Sequence, residues 1–428
     1  MPSLRSPQKK KRQVRLPEIS SVNGASGANG ATNGHAYPPK KNWVGTAREI
    51  SELFQRTAAE REQKRVRPLA EIQQLKDAGL VNLIIPKRFG GEGGSFLESV
   101  QVVRELSRGD ASIGGLLGFH YYTYSVPRFF DFKGEGEAIL RRSAKNRWIW
   151  GNITQPLEKN FRIEALPGGK FRLNGVKKWN TGPSLADVTT VVGPRSDKKE
   201  LLFAVIPTDR KGLKYHDDWD SLGIRLAETV TIGFENVDVL PEEVIPSTHA
   251  EPQVGFAPFY GPYANLLYGA VFAGAALGGL ESVRDYTRTK TKLHPLSRVE
   301  TPTKDPYILL EYGRSFLKLQ AAAALLDEVA REFDDIWSRR LTITPAEQGR
   351  FGVRAAAARA YAAEVALEIS PRLYEVTGGS AVKNSYGFDR TWRDVRTLVQ
   401  HDPMVYAVRG VGDFFLNGAL RENPVFVR

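Results

Sequence analysis

No cysteine occurs among the 428 residues. A disulfide framework and any Cys-ligated metal are therefore excluded, and a reducing, cytoplasmic setting is the natural expectation. Six histidines are scattered through the chain without an HExxH-type pair, so no zinc site of that kind is expected. No apolar stretch accompanies the N-terminal basic residues, which argues against a secretory signal. The glycine-rich GGEGG at 90–94 has neither GxGxxG nor GxxxxGK spacing and reads as a turn rather than a nucleotide loop. The adjacent acids of His216–Trp219 (HDDW) lack a third ligand nearby and read as a corner between strands, so no metal is expected. No period suggests internal repeats.

What is present is ordinary globular composition, 41% hydrophobic and 25% charged, in a chain too long for one simple core. The formal charge of +12 sits mostly at the start. Residues 1–45 hold eight basic residues against Glu18, leaving about +5 for the rest, an ordinary value for a folded domain. KKKR (Lys9–Arg12) followed by SSVNGASGANGATNG reads as a disordered basic arm over 1–45. Neither nucleic acid nor membrane is expected as a partner. The charge-free stretch Gly255–Leu280 is long enough to span a bilayer, but Pro258, Pro262 and six glycines fit a small-residue helix buried in a protein core.

Periodicity divides the remainder in three. Residues 46–147 are predicted helical, with Ile50, Leu53 and Phe54, then Leu69, Ile72 and Leu75, at helix spacing. Residues 148–250 change to short β-type runs such as FRIEAL and KFRLNGV around the hairpin signal PGGK, predicting a compact sandwich or barrel. Residues 251–428 return to helices, expected at Tyr260–Lys290, Pro306–Arg339, Pro345–Glu375 and Pro403–Leu416, with an alanine-rich run suited to close packing.

Three segments in this α–β–α order resemble the acyl-CoA dehydrogenase superfamily: LKDAGLVNLIIPKRFGGEGGSFLESVQVVRELSRGDASIG (75–114), LNGVKKWNTG (173–182) and WDSLGIRLAETVTIGFENVDVLPEEVI (219–245). A narrower likeness lies in YGFDRTWRDVRTLVQHDPMVYAVRGVGDFFLNG (386–418), with HDDWDSLGIR and RDYTRTK. These are similar to the dibenzothiophene-monooxygenase-like flavoenzymes. The resemblance implies an α+β fold with an N-terminal helical domain, a central β-domain and a C-terminal four-helix bundle assembled as a homotetramer. It implies a monooxygenase that receives reduced FMN from a separate flavin reductase. Oxygen then reacts to a C4a-hydroperoxyflavin, which oxygenates sulfur, nitrogen or carbon of a small substrate. The aromatic run HYYTYSVPRFF favours an aromatic or apolar substrate. The alternative is an FAD-dependent acyl-CoA dehydrogenase or related desaturase. That chemistry needs a carboxylate base in reach of the substrate carbon, and the superfamily glutamate's place falls on Asp402, with His401 before it.

The resemblance also assigns residues. WGNIT and KKWNTG carry the flavin-facing positions: Asn152, Ile153 and Thr154 from the first, Lys178, Trp179, Asn180 and Thr181 from the second. A flat, polar-edged ring needs such donors, hydroxyls and an apolar wall, and Thr181 matches the hydroxyl beside flavin N5. Arg288 matches a phosphate-binding arginine. Gly379 and Ser380 match a loop that approaches the flavin, although relatives carry arginine where Ser380 stands, a contact that Lys383 is placed to replace. His401 is the expected proton manager, with Asp402 fixing its tautomer or capping the last helix. His120 and Tyr124, four residues apart on one helix face, border the cavity in the resemblance; a satisfied core histidine is the competing reading of His120.

Overall fold

The computed structural model describes residues 41–130, 136–155, 158–197, 201–245, 257–339 and 342–420. KKKR and nearly all of the basic arm lie outside them. From Asn42 onward the chain packs as one compact unit. Helix formation begins earlier than periodicity predicted, since Trp43–Gly45 already form the first turn of α1 (Trp43–Gln63). The Asn42 side chain accepts the Gly45 N–H at 2.9 Å and caps it.

Five more helices follow: α2 (Leu69–Asp77), α3 (Phe96–Gly109), α4 (Ala111–Tyr124), α5 (Val126–Phe130) and α6 (Glu137–Asn146). Ser95 and Glu98 form a capping box at the start of α3, and Asp110 caps α4 through the N–H groups of Ser112 and Ile113. Helix α4 has no charged residue and is buried nearly all round. It is the wall between the strands and the later bundle.

The strands are β1 (Trp150–Ile153), β2 (Phe161–Ala165), β3 (Phe171–Thr181), β4 (Val188–Pro194), β5 (Leu201–Pro207), β6 (Leu213–Tyr215), β7 (Thr229–Val239) and β8 (Val244–Ile245). They form one mixed sheet in the order β6-β7-β3-β1-β4-β5-β8, with β2 also paired to β3. Only β1 and β4 run parallel among the named pairs. PGGK makes the predicted hairpin, with Ala165 opposite Phe171. One face of the sheet, including Ile153, Phe161, Leu173, Val191 and Ile232, builds its own apolar core.

The C-terminal helices are α7 (Tyr260–Thr289), α8 (Pro306–Arg339), α9 (Pro345–Arg372), α10 (Asp389–Val399) and α11 (Met404–Asn417). Periodicity missed α10, whose DRTWRDVRTLV sequence has five charged residues in eleven and buries only Asp394, Val395, Leu398 and Val399. Helix α7 is apolar and long enough to cross a membrane, yet 83% of its most apolar window is buried inside the structure. Its glycines explain the closeness of that packing. A Cβ at Gly274 would lie 2.2 Å from the Arg104 carbonyl oxygen, and one at Gly278 would lie 1.8 Å from that of Arg108, so α3 and α7 meet backbone to backbone.

Candidate active site

On the sheet side, Asn152 of β1 stands opposite Thr181 of β3. Thr154 donates to the Asn152 amide oxygen at 2.6 Å, and the Thr181 and Thr229 hydroxyls are 3.1 Å apart. All of these side chains except that of Thr229 are buried, so the strand ends bring three of the expected flavin-facing residues together, screened from solvent. Ile153 alternates to the other face and packs in the sheet core. Asn180 is likewise structural: its amide donates to the Lys177 and Val230 carbonyls at 2.7 and 3.0 Å.

Those bonds bridge a bulge. The β3–β7 register shifts between Lys177 and Asn180, and Trp179 within it has φ +61°. A bulky residue in the left-handed region costs on the order of 1–2 kcal/mol, and the result is that Lys178 and Trp179 project outward. Trp179 is 71% exposed and meets Trp219 edge to face at 6.3 Å. Its neighbour Lys177, which sequence reasoning passed over, points inward. Its ammonium donates to the Gln155 and Val192 carbonyls and lies 4.5 Å from the centroid of the Phe161 ring. Burial pushes that amine down to about 7.

Helix α4 faces both sides. Toward the strands, His120 is fully buried, with Nε2 at 2.8 Å from the Val81 carbonyl and Nδ1 accepting the Trp150 N–H at 3.0 Å. Both nitrogens are consumed by backbone, and burial lowers its pKa to about 4. In this arrangement the ring clamps α4, the Leu80–Asn82 turn and β1 together, the competing reading of His120 as a satisfied core histidine. Tyr124 packs edge to face on Trp150 at 5.3 Å, and its hydroxyl is buried without a hydrogen-bond partner. One turn before Phe119, Gly115 is buried, yet nothing lies within 4 Å of a Cβ built on it.

Toward the bundle, Phe119 sits 6.1 Å from the His401 ring and 5.6 Å from Tyr268 of α7. His401, half-exposed between α10 and α11, has Nε2 at 3.0 Å from the Tyr268 hydroxyl and Nδ1 at 3.1 Å from Asp402 Oδ2. The same carboxylate oxygen accepts from Arg359 of α9 at 3.0 Å. Burial alone would raise the Asp402 carboxyl, but His401 and Arg359 hold it well below the usual carboxylate range. Asp402 is outside α11, which starts at Met404 with Pro403 as its cap residue, and no side-chain hydrogen bond caps that end.

Arg288, Gly379 and Ser380 form a separate cluster. Thr287 donates to the Val376 carbonyl at 2.8 Å and Thr291 to that of Thr377 at 3.2 Å, tying the end of α7 to the loop before Gly378. Arg288, Gly379 and Ser380 are exposed there, as is Lys383, and a Cβ at Gly378 or Gly379 would meet nothing within 4 Å. Arg288 lies twenty residues beyond Tyr268 on the same helix, about 30 Å at the helical rise. One chain thus does not bring the arginine to the neighbourhood of His401.

These features fit a flavin. The open space at Gly115, the lone Tyr124 hydroxyl and the polar Asn152–Thr154–Thr181 group are the kinds of feature that a flat, polar-edged ring requires. Comparison with known proteins agrees. Residues 43–129 match the model of the acyl-CoA dehydrogenase N-terminal domain, and residues 266–406 match that of the C-terminal domain. The chain is 32% identical to a dibenzothiophene monooxygenase of Mycolicibacterium goodii, across 87% of this chain and 93% of that protein. It is 32% identical to a probable FMNH2-dependent monooxygenase, SfnC, of Pseudomonas putida, across 90% and 97%. The structure of FMN-bound TdsC from Paenibacillus sp. A11-2 superimposes with a TM-score of 0.86 at 31% identity, covering 90% of this chain and all of that one.

The chain belongs to the dibenzothiophene-monooxygenase-like branch of the acyl-CoA dehydrogenase superfamily. Within this flavoenzyme, sequence reasoning found His401 and Asp402 but missed Tyr268, Asn265 and Arg359 around them. The signals were faint: one arginine inside an alanine run, and an asparagine and a tyrosine within the charge-free part of α7. For Arg359, the clue available in the sequence was a charge within RAAAARAYAA, where every neighbour on the buried face is small.

Proposed function

We propose that this chain is the oxygenase component of a two-component flavin monooxygenase, taking reduced FMN from a partner flavin reductase and inserting one atom of O2 into a small aromatic or apolar substrate. Bound FMNH2 supplies two electrons and two protons, so one oxygen atom goes to the substrate and the other leaves as water. The observation that carries this reading over the dehydrogenase is the state of Asp402. A carboxylate pinned by Arg359 and His401 and held far below its usual range is a poor acceptor for a substrate proton. FMN rather than FAD follows from the same branch.

The chain's own residues take the following parts. Asn152, Thr154 and Thr181 hold the polar edge of the ring, and Tyr124 offers its free hydroxyl beside Trp150. His401 manages a proton at the reacting oxygen, oriented by Asp402. Phe119, Tyr268 and the stacked pair Tyr122–Tyr260, 3.9 Å apart, supply an apolar, water-poor surface suited to an aromatic molecule. Arg288, Gly379 and Ser380 receive the phosphate, but of a flavin whose ring lies in a second copy, because about 30 Å of α7 exceeds the reach of one FMN. Exposed apolar residues on α8 (Tyr307, Leu310, Leu317) and α11 (Val405, Phe415, Leu416) offer the surface for that assembly, which we read as a homotetramer. The cysteine-free chain fits the cytoplasm.

The test is rapid mixing of anaerobic, FMNH2-loaded protein with oxygenated buffer while the flavin spectrum is followed. A transient distinct from reduced and oxidised flavin, shortened by a substrate, is expected. Reoxidation at the rate of free FMNH2, together with flavin bleaching by an acyl-CoA without oxygen, would instead establish the dehydrogenase.

A further inference from the structure

Arg359 lies mid-way along α9 among buried alanines, Ala355, Ala356, Ala358, Ala362 and Ala363. Its side chain is 4% exposed. Nη1 donates to the Asn265 amide oxygen and to Asp402 Oδ2, both at 3.0 Å, while Nε and Nη2 have no hydrogen-bond partner. The guanidinium carbon is 4.7 Å from the centroid of the Tyr268 ring. For packing alone this is an unfavourable choice, because an apolar side chain would fill the same space without desolvating a charge or stranding N–H groups. The alanines are small enough to admit the guanidinium, and it reaches the carboxylate of Asp402 that touches His401.

The geometry fixes the proton inventory. Asp402 is ionised, so the His401 nitrogen facing it, Nδ1, carries the hydrogen. In the neutral ring Nε2 is then the lone-pair side, 3.0 Å from the Tyr268 hydroxyl. Burial, reinforced by the Asp402 charge, pushes that hydroxyl far above its ordinary range, so it stays a donor. The groups that set His401 come from every element around it: Asp402 from its own turn, Arg359 from α9, Tyr268 from α7, and Tyr122 of α4 with Tyr260 of α7 behind Tyr268. Asp402 is half-exposed and, without the guanidinium, is free to turn toward water.

We propose that Arg359 is a positioning residue for this site: acting through Asp402, it fixes the orientation and the proton-bearing nitrogen of His401 before flavin arrives. The inference rests on the proposed role of His401 for its catalytic meaning, but not for its structural content.

The experiment uses the full chain with 15N-labelled histidine and no flavin, with His401 assigned through His401→Gln. Two-bond nitrogen–proton correlations should show the Nδ1–H form in the native protein, a mixture in Arg359→Met and recovery of the native form in Arg359→Lys. A second readout is the oxidation of bound FMNH2 by O2 without substrate. It should quicken about tenfold in Arg359→Met and in Asp402→Asn, and by no more than about twofold further in the double variant, the signature of two residues acting through one link. An unchanged His401 tautomer in Arg359→Met, or effects that multiply in the double variant, would overturn the proposal. Should Arg359→Met not fold, Arg359→Lys against Asp402→Asn gives the same decision. If His401→Ala leaves FMNH2 oxidation unaltered, the catalytic reading of His401 fails, while the tautomer spectra still decide the role of Arg359.

Discussion

His120 accepts the backbone N–H of Trp150 on Nδ1 and presents Nε2 to the carbonyl of Val81. The two backbone partners dictate the tautomer: Nδ1 is bare and Nε2 carries the hydrogen. One neutral ring thereby joins the α4 wall to β1 two residues before Asn152.

That relationship has a pH consequence. The folded pKa of His120 is about 4, against about 6.5 unfolded, so between those values the unfolded chain binds more protons. Its stability contribution is complete above about pH 6.5 and is lost as pH falls toward 4, roughly 3 kcal/mol in all. In His120→Gln this limb of the stability–pH curve should flatten, with a loss of about 1–3 kcal/mol at neutral pH from an unpaired backbone group. Urea denaturation of both proteins at pH 4.5, 5.5 and 7 measures it.

Gly115→Ala separates stability from function. An added methyl displaces nothing and improves helix propensity by up to about 1 kcal/mol, so Tm should hold or rise. Gly115→Leu, by contrast, should lower FMN affinity or the response to an aromatic probe such as indole at little cost in Tm. Flavin fluorescence titration beside differential scanning fluorimetry checks both, and unchanged binding in Gly115→Leu would show that the space serves neither ligand.

Gly278→Ala should do the opposite. Its Cβ would fall 1.8 Å from the Arg108 carbonyl oxygen, a backbone atom that moves only with α3. A destabilisation of about 1–3 kcal/mol is expected from the forced separation of α3 and α7, read as a lower Tm of the apo protein.

The division of the flavin site between copies is testable by complementation. His401→Ala and Arg288→Ala should each be impaired alone. Mixed oligomers reassembled from equal amounts should regain about a quarter of the native sites, since half of the random pairs pool both lesions in one site and leave the other intact. No recovery would place Arg288 and His401 of one and the same chain on a single flavin, or Arg288 outside the site.

The element pattern was readable because it rests on local periodicity. Helix α8 begins and ends where the apolar spacing placed it, and the PGGK hairpin follows from its turn residues. Helix α10 was not readable, because only four of its eleven residues are buried, five are charged, and its buried face is defined by the helices it packs against. His401 and Asp402 could be singled out as neighbours in the sequence. The Tyr268 that engages His401 and the Arg359 that engages Asp402 come from helices 133 and 43 residues away respectively.

By itself the sequence determined the α–β–α order, the absence of cysteine chemistry, the family, and the short segments that the resemblance assigns to the flavin. These depend on residue type and spacing along one strand or helix. Tertiary structure decided what each polar group faces. It made His120 a neutral clamp, turned Lys177 inward and Trp179 outward across a bulge, and set Arg288 far from His401 along α7. Protonation and reach are properties of surroundings, and surroundings are assembled only when distant parts of the chain meet.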